Sequence, residues 1–488
     1  MTPTVYALIA LGLPWTVTAL WLRNLRASAP PLDWPTAIGY GFFIGMYLTV
    51  LLLHLTDATG LGLDARAVLI SWLLAAGGVI VLARRRQRAV GAPGTRLSAT
   101  VLSWLPSRIG SWIWWGLLAL ILVRLGFIAA EVALRPVTPW DAWTTWLLRG
   151  RIWFEHATLT PIVGAEPWRT ADPPYPFTTA AHHYPRTVSI IPAWIALNAG
   201  TWNEALALAP WVAALVALLL AVYGQVRRLG GTALDAILVS YLLISMPMVT
   251  VHAALAGYAE LWTAATVALA AVSLWIWRLR KERLQLLLAI PFLAALPTLK
   301  LEGSIWLLAL SAGMFLWFLK TRTVLLLAAV CLGTVVAWVN LGGINIEAPG
   351  LGTIILRPDQ VVIPGFVNLT LGPEPGALSA LLRALFVYAN WHLLWFALLA
   401  LSPLIFYRNF HDWQLRGPSY TVLIMLGMLL TLFLLTNASQ WVVSQTSVNR
   451  LLLHMTPMLI VFLWMTLRLP GPPADKADRA VKPTHTQV

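Results

Sequence analysis

Long apolar runs, one after another, constrain this chain more than any other feature. With 59% hydrophobic and 11% charged residues among 488, it carries more apolar surface than a soluble core could bury. About thirteen of these runs have the length and composition of membrane-crossing helices. They lie near residues 4–22, 35–55, 67–83, 110–133, 205–225, 233–251, 260–277, 284–298, 302–319, 323–341, 388–407, 419–436 and 450–468. The predicted fold class is therefore an all-α polytopic membrane protein.

The net charge of +14 does not indicate nucleic-acid binding, because the basic residues form short clusters between apolar runs. These clusters fall on one predicted inner face, near residues 84–88, 227–228, 278–283, 320–322, 408–416 and 476–482. We expect a multi-pass protein of the bacterial inner membrane with its N-terminus outside and its C-terminus in the cytoplasm. The single cysteine, Cys331, lies in an apolar run and predicts neither a disulfide framework nor a zinc cluster.

The predicted topology places two long loops outside, at about 134–204 and 342–387. Within the first, Thr187–Ala199 is too short for a full crossing and is interpreted as a re-entrant or interfacial helix. The second is rich in glycine and proline and predicts irregular or short-strand structure with mobility. We divide the chain into accessory helices (1–109), a core that includes the first loop (110–341), the second loop (342–387), C-terminal helices (388–468) and a disordered cytoplasmic tail (469–488).

Asp141 is the most informative polar residue, because it follows an apolar run and lies among tryptophans that favour the membrane interface. Helical spacing predicts an amphipathic surface helix that begins at Asp141. Its apolar face would contain Trp143, Trp146, Leu147, Gly150 and Phe154, and its polar side Asp141, Thr145, Arg149 and Glu155. The acid could act chemically, or it could only complement the dipole of the helix N-terminus.

Other polar groups lie at outer ends of the predicted spans. The adjacent His182 and His183, followed by Tyr184, could ligate a metal, contact a substrate or serve only as structural hydrogen-bond donors. Tyr258 and Glu260 begin one span, and Lys300 and Glu302 could form a local ion pair. Arg450 begins the last span on the side where positive charge is least expected, which suggests a bound anion. The mid-span Arg124 is predicted to tie helices together.

The order of these features resembles the GT-C superfamily of glycosyltransferases that use polyprenyl-phosphate sugars, particularly bacterial relatives of protein O-mannosyltransferases and aminoarabinose transferases. The likeness covers roughly residues 110–320 and, more loosely, the last span. It is carried by six short segments: Trp140-Asp141-Ala142-Trp143, Tyr184-Pro185, Asn203-Glu204, Gly257-Tyr-Ala-Glu260, Lys300-Leu-Glu-Gly303 and Arg450.

The resemblance implies a GT-C type helical bundle with interfacial helices in its first periplasmic loop. It implies that Asp141 is the catalytic carboxylate and that Lys300 and Arg450 hold the donor phosphate. It also implies a substrate cavity, lined by His182, His183, Tyr184, Tyr258, Glu260 and Glu302. Three extra spans precede the core, a large periplasmic domain is lacking, and the acid motif has no second adjacent carboxylate. The last departure argues against a metal-assisted mechanism, and no other cofactor is expected.

These expectations describe an enzyme that moves a hexosyl or pentosyl group to an acceptor lipid, glycan or protein of the cell envelope. Asp141 would be the general base, and direct attack would invert the anomeric carbon. The expected partners are the polyprenyl-phosphate sugar, the acceptor and membrane lipid. The alternatives are a transporter or flippase for a lipid-linked or anionic substrate, and a non-catalytic scaffold subunit.

Overall fold

A computed structural model describes residues 2–25, 32–89, 110–173, 175–349, 352–364 and 367–468. Within these described ranges, ten helices are long and apolar enough to cross a membrane. They are α1 (Pro3–Asn24), α2 (Trp34–Ala58), α3 (Ala65–Ala89), α4 (Ser111–Leu134), α8 (Glu204–Arg228), α11 (Glu260–Arg280), α13 (Leu301–Phe318), α14 (Thr321–Asn340), α17 (Trp413–Leu435) and α19 (Val448–Arg468). The predicted helical membrane protein is confirmed at this level. The predicted tail (469–488) lies outside the described residues.

The remaining predicted spans are also helical, but they are broken, short or more polar. The pair α9 (Ala233–Ser245) and α10 (Pro247–Ala254) bends by 65°, and would make an eleventh crossing if taken as one span. The helix breaks at Met246, which has φ of −60° and ψ of 120°. Met246 precedes a proline, and helical backbone is disfavoured at the residue before a proline. Helix α12 (Arg283–Leu299) has 17 residues, and α16 (Leu394–His411) ends in a polar turn.

Helix α11 forms the centre of the bundle. Seventeen of its 21 residues are buried, and it packs against α8, α12 and α19. By contrast, α14 has no buried residue. A buried hydrogen-bond network also ties α11 to α2, α8 and α12. In it, the amide of Gln225 donates to Tyr40 at 2.7 Å and to Gln285 at 2.9 Å, and Tyr40 also contacts Ser273. Paired in this way, polar side chains can lie inside an apolar bundle without an unsatisfied donor or acceptor.

Ion pairs close one end of the bundle. Arg228, at the end of α8, contacts Glu282 at 2.5 Å and Asp33 at 3.9 Å. These residues come from the end of α8, the turn between α11 and α12, and the start of α2. The predicted inner clusters at 227–228 and 278–283 therefore do lie on one side. Glu260 begins α11 and Arg280 ends it, so the two ends of this 21-residue helix lie about 30 Å apart at 1.5 Å per residue.

The first loop folds into helices. A π-helical turn (Ala142–Trp146) leads into α5 (Leu147–His156), followed by strand β1 (Ile162–Val163), α6 (Ala165–Thr170), β2 (Phe177–Thr178) and α7 (Thr187–Ala199). Eleven of the 13 residues of α7 are buried, and α7 packs against α1, α5 and α8. Neighbouring helices therefore cover α7 on nearly all sides, and its predicted re-entrant or interfacial position stays a prediction.

The second loop contains the short strands that its composition predicted. An antiparallel sheet runs in the order β3 (Ile344–Ala348), β4 (Gly352–Leu356), β5 (Gln360–Ile363) and β6 (Val367–Thr370). Trp338 of α14 donates to the carbonyl of Leu356, which fixes the sheet to the end of that helix. Two further helices, α15 (Ala377–Phe386) and α18 (Gln440–Val443), pack together nearby.

Candidate active site

A chain of alternating charges lies at the end of the bundle opposite Arg228. Arg450 Nη1 donates to Asp141 Oδ2 at 2.6 Å, although 309 residues separate the two in sequence. Arg450 Nε lies 3.7 Å from Glu260 Oε1, and the same oxygen accepts from Lys300 Nζ at 3.1 Å. Lys300 Nζ also lies 3.1 Å from Glu302 Oε1. The structure thus brings together all five predicted charged residues, as three carboxylates and two cations.

Access differs sharply along this chain of charges. The side chains of Asp141 and Arg450 are 35% and 21% exposed, whereas those of Lys300 and Glu260 are 5% and 2% exposed. Glu302 is 22% exposed, so a ligand that approaches the cluster would meet Asp141, Arg450 and Glu302 before Lys300 and Glu260. Direct contact of Lys300 with a phosphate stays a prediction, since Lys300 is buried and pairs with both Glu260 and Glu302.

Two glycines allow the elements of this site to approach each other closely. Gly303 packs directly on the carbonyl of Leu296, so that α12 and α13 meet tightly beside Lys300. Gly257 has φ of +104°, and a Cβ built there would lie 2.7 Å from the Cβ of Ala142. Glycine is required at this point both by the backbone conformation and by the contact. The loop that carries Tyr258 and Glu260 is thereby pressed against the helix that carries Asp141.

Aromatic rings surround the accessible part of the cluster. The guanidinium of Arg450 lies 4.5 Å from the centre of the Tyr258 ring, in cation–π geometry. Tyr184 stacks on Trp146, with ring centres 5.2 Å apart. Burial raises the pKa of both tyrosines, and the charges of Lys300, Glu302, Glu260 and Asp141 all act on the Tyr184 hydroxyl. Both phenols thus remain protonated at neutral pH and can donate hydrogen bonds.

The two histidines have different surroundings. The ring of His183 lies 4.9 Å from Tyr184, and partial burial together with His182 and Arg149 lowers its pKa while Glu302 opposes the shift. His183 is therefore a neutral group at the edge of the cluster. His182 packs instead against Gly164. Among the described residues, no three His, Cys, Asp or Glu side chains form a group that could hold a metal ion.

The predicted face of the Asp141 helix is partly wrong. Thr145 and Arg149 were expected on a polar surface, but they are 6% and 3% exposed. Trp143, expected on the apolar face of a helix at the membrane surface, is 49% exposed. The π-helical turn is the physical reason, because its wider repeat shifts the face presented by each later residue from ordinary helical periodicity.

Arg149 is a site residue that the sequence interpretation missed. Its guanidinium donates to the carbonyls of Tyr184 at 2.8 Å and Pro185 at 3.3 Å, and lies over the ring of Trp153. Burial lowers its pKa to about 10, with Arg186 acting in the same direction, so it remains charged at neutral pH. Arg149 thereby fixes the backbone that presents His183 and Tyr184.

Two buried histidines behind the cluster were also missed. His454 lies one helical turn after Arg450, and its Nδ1 accepts from Trp306 Nε1 at 2.9 Å. The ring of His252 lies 5.7 Å from that of Tyr258. The spacing of four residues between Arg450 and His454 was the available signal. By contrast, Arg124 is half-buried and has no hydrogen-bond or ion-pair partner among the described residues, so its predicted role in tying helices together stays a prediction.

No family model, curated protein or solved structure matches this chain. The chemistry must therefore be inferred from the cluster itself. It offers an accessible carboxylate, an accessible guanidinium bonded to it, and phenols on either side. Such a set can accept a proton from a nucleophile and bind an anion next to the point of proton transfer.

Proposed function

We propose that this protein is a membrane glycosyltransferase that moves a sugar from a polyprenyl-phosphate donor to an envelope acceptor on the outer face of the membrane. The observation that carries this proposal is the 2.6 Å bond between Arg450 and Asp141 at the accessible edge of a buried ion cluster. A phosphate-linked donor needs an anion site and its acceptor needs a base, and here the two candidate groups are in contact.

The donor phosphate competes with Asp141 for Arg450. A guanidinium forms paired hydrogen bonds to phosphate oxygens, and it is already anchored over Tyr258. When Arg450 turns to the phosphate, the carboxylate of Asp141 loses its strongest partner and becomes available as a base. Glu260 keeps the guanidinium near the site because Glu260 is itself held by Lys300 at 3.1 Å. In this scheme Lys300 acts through Glu260 and is a positioning residue.

The transfer step is a single displacement. An acceptor hydroxyl or amine attacks the anomeric carbon while Asp141 takes its proton. The bond between the anomeric carbon and the phosphate oxygen breaks, and polyprenyl phosphate leaves with the electron pair. Arg450 stabilises the charge that develops on that oxygen. Attack opposite the leaving group inverts the anomeric carbon.

The direct test uses purified protein in nanodiscs with a panel of polyprenyl-phosphate sugars and an envelope extract as the acceptor. Release of polyprenyl phosphate is measured, so that the acceptor need not be known. We expect release with at least one donor and its loss in Asp141→Asn. Glu131→Gln is the matched control, because Glu131 is an exposed acid paired with Arg135 away from the cluster. No release with any donor would reject the proposal.

One observation favours transport as a second candidate. The 65° bend between α9 and α10 makes a discontinuous helix, a feature common in secondary transporters. Uptake of the same donors into liposomes, measured without acceptor, would support this alternative if the protein moves the lipid between leaflets and releases no polyprenyl phosphate.

A further inference from the structure

A second polar and aromatic cleft lies beside the ion cluster. It has a volume of about 340 Å³ and separates α5 and its π-helical turn from the start of α8. Val137 lines it together with the six residues Trp143, Leu147, Leu148, Arg151, Trp202 and Glu204.

This cleft and Asp141 lie on different faces of one helix. Trp143, Leu147 and Arg151 follow one another at intervals of four and face the cleft. Asp141, Thr145 and Arg149 do not line the cleft. Thr145 and Arg149 are buried, whereas Trp143 and Arg151 are exposed, so the two sets lie on different faces. Leu147 connects the two sites, since it also touches the Gly257 loop. A ligand in this cleft would therefore lie near the reacting groups without occupying their place.

The side chains of the cleft combine flat apolar surfaces with charged groups. Trp143 is 49% exposed, and Trp202 is half-buried against Phe154. Arg151 bonds Glu155 through Nε at 2.9 Å, and its two terminal amines have no partner among the described residues. Glu204 accepts from the amide of Val137 through Oε2 at 3.1 Å, which leaves Oε1 for a ligand. Tryptophan alone would suit a lipid interface, but an exposed arginine and glutamate beside it favour an aqueous, amphipathic ligand.

We propose that this cleft binds a sugar unit of the acceptor, at a distance from the unit that is glycosylated. A pyranose ring has an apolar face that can stack on an indole and hydroxyl groups that can bond both to a guanidinium and to a carboxylate. The proposal rests on the proposed function and names the acceptor class as carbohydrate. The sugar could belong to a free glycan or to the head group of a glycolipid.

The experiment measures saccharide binding without donor, by saturation-transfer NMR on the full protein in nanodiscs. Soluble oligosaccharides form one arm of the experiment. Glycolipids incorporated in the disc form the other arm, in which binding is detected as protection of the cleft from a tryptophan-modifying reagent. Trp202→Ala and Arg151→Ala should weaken binding tenfold or more. Trp168→Ala and Arg169→Ala are matched controls, because Trp168 is 42% exposed and Arg169 pairs with Glu166 at 2.9 Å in the same loop but outside the cleft. The controls should bind as the wild type does.

Each result has a definite meaning. Binding in the soluble arm supports a free glycan, and binding in the glycolipid arm alone supports a glycolipid head group. Absence of binding in both arms, or equal losses in the cleft and control variants, overturns the proposal. Arg151 is exposed, so its variant keeps the test valid if Trp202→Ala does not fold. Donor turnover is measured separately. Turnover without saccharide binding would reject only the saccharide site in the cleft, and saccharide binding without turnover would reject only the proposed transferase activity.

Discussion

Arg450 limits the chemistry available to Asp141. The guanidinium donates to Oδ2 at 2.6 Å, so this carboxylate oxygen already has a hydrogen-bond partner. In the proposed mechanism the donor phosphate draws Arg450 away and leaves this oxygen for the proton of the acceptor. Proton transfer would therefore depend on the presence of the donor phosphate.

The first prediction concerns Asp141→Asn. The amide keeps the size of the side chain and can still accept a hydrogen bond from Arg450, but it cannot take a proton from the acceptor. We expect sugar transfer to fall by about two to four orders of magnitude, the usual contribution of a general base, with donor binding equal to or tighter than in the wild type. Single-turnover transfer and donor binding are the measurements. Transfer near the wild-type rate would remove Asp141 from the mechanism.

The second prediction concerns the shape of the Arg450 side chain. Arg450→Lys keeps the charge but not the planar fork, and Arg450→Ala removes both, so donor affinity should fall for lysine and further for alanine. A charge-assisted hydrogen bond contributes about 1.5 to 3 kcal/mol, which corresponds to a loss of roughly tenfold to a hundredfold for alanine. The control is Arg135→Ala, because Arg135 pairs with Glu131 at the surface. Equal donor affinity in all four proteins would contradict a phosphate role for Arg450.

At the scale of elements, the sequence predicts where helices lie better than how they face one another. Every predicted span coincides with helical residues, because apolar runs and basic ends are local signals. The π-helical turn at 142–146 has no such signal, and the burial of Thr145 and Arg149 was not predicted. The sequence singled out the five charged residues of the ion cluster. It could not show which of them pair, because the ion pairs join residues up to 309 positions apart.

The third prediction tests the contact between the Gly257 loop and the Asp141 helix. Gly257→Ala adds a Cβ 2.7 Å from that of Ala142 in a backbone with φ of +104°, so the loop that carries Tyr258 must move away from Asp141. We expect transfer to fall at least tenfold. Gly200→Ala is the control, since Gly200 has φ of +70° but no heavy atom within 4 Å, and its cost should be only about 1 kcal/mol of backbone strain. Equal effects of the two variants would show that strain, and not the displaced contact, lowers activity.

At the scale of the whole molecule, the charged groups fall on two sides. The end of α11 with Arg278 and Arg280 is basic, and the end with Glu260 belongs to the ion cluster. Basic clusters are typical of cytoplasmic ends, so we expect the ion cluster to face outward.

The fourth prediction fixes this orientation. With Cys331→Ser as background, single cysteines at Thr170 and Asp359, both exposed, should react with an impermeant thiol reagent added to intact cells. A cysteine at the exposed Lys281 should react only after the membrane is opened. The reverse pattern would place the cluster in the cytoplasm and contradict a reaction on the outer face.

The confinement of the cluster to one end of the bundle also has an electrical consequence. Moving one elementary charge across the bilayer changes the free energy by about 2.3 kcal/mol per 100 mV of membrane potential. In the proposed mechanism, the proton passed to Asp141 and the phosphate held by Arg450 would stay at one end of α11 and cross almost none of that potential. We therefore expect sugar transfer to run at the same rate in energised and in short-circuited vesicles. Because the bond between phosphate and sugar would supply the free energy of transfer, we also expect the reaction to continue in cells whose proton gradient has collapsed.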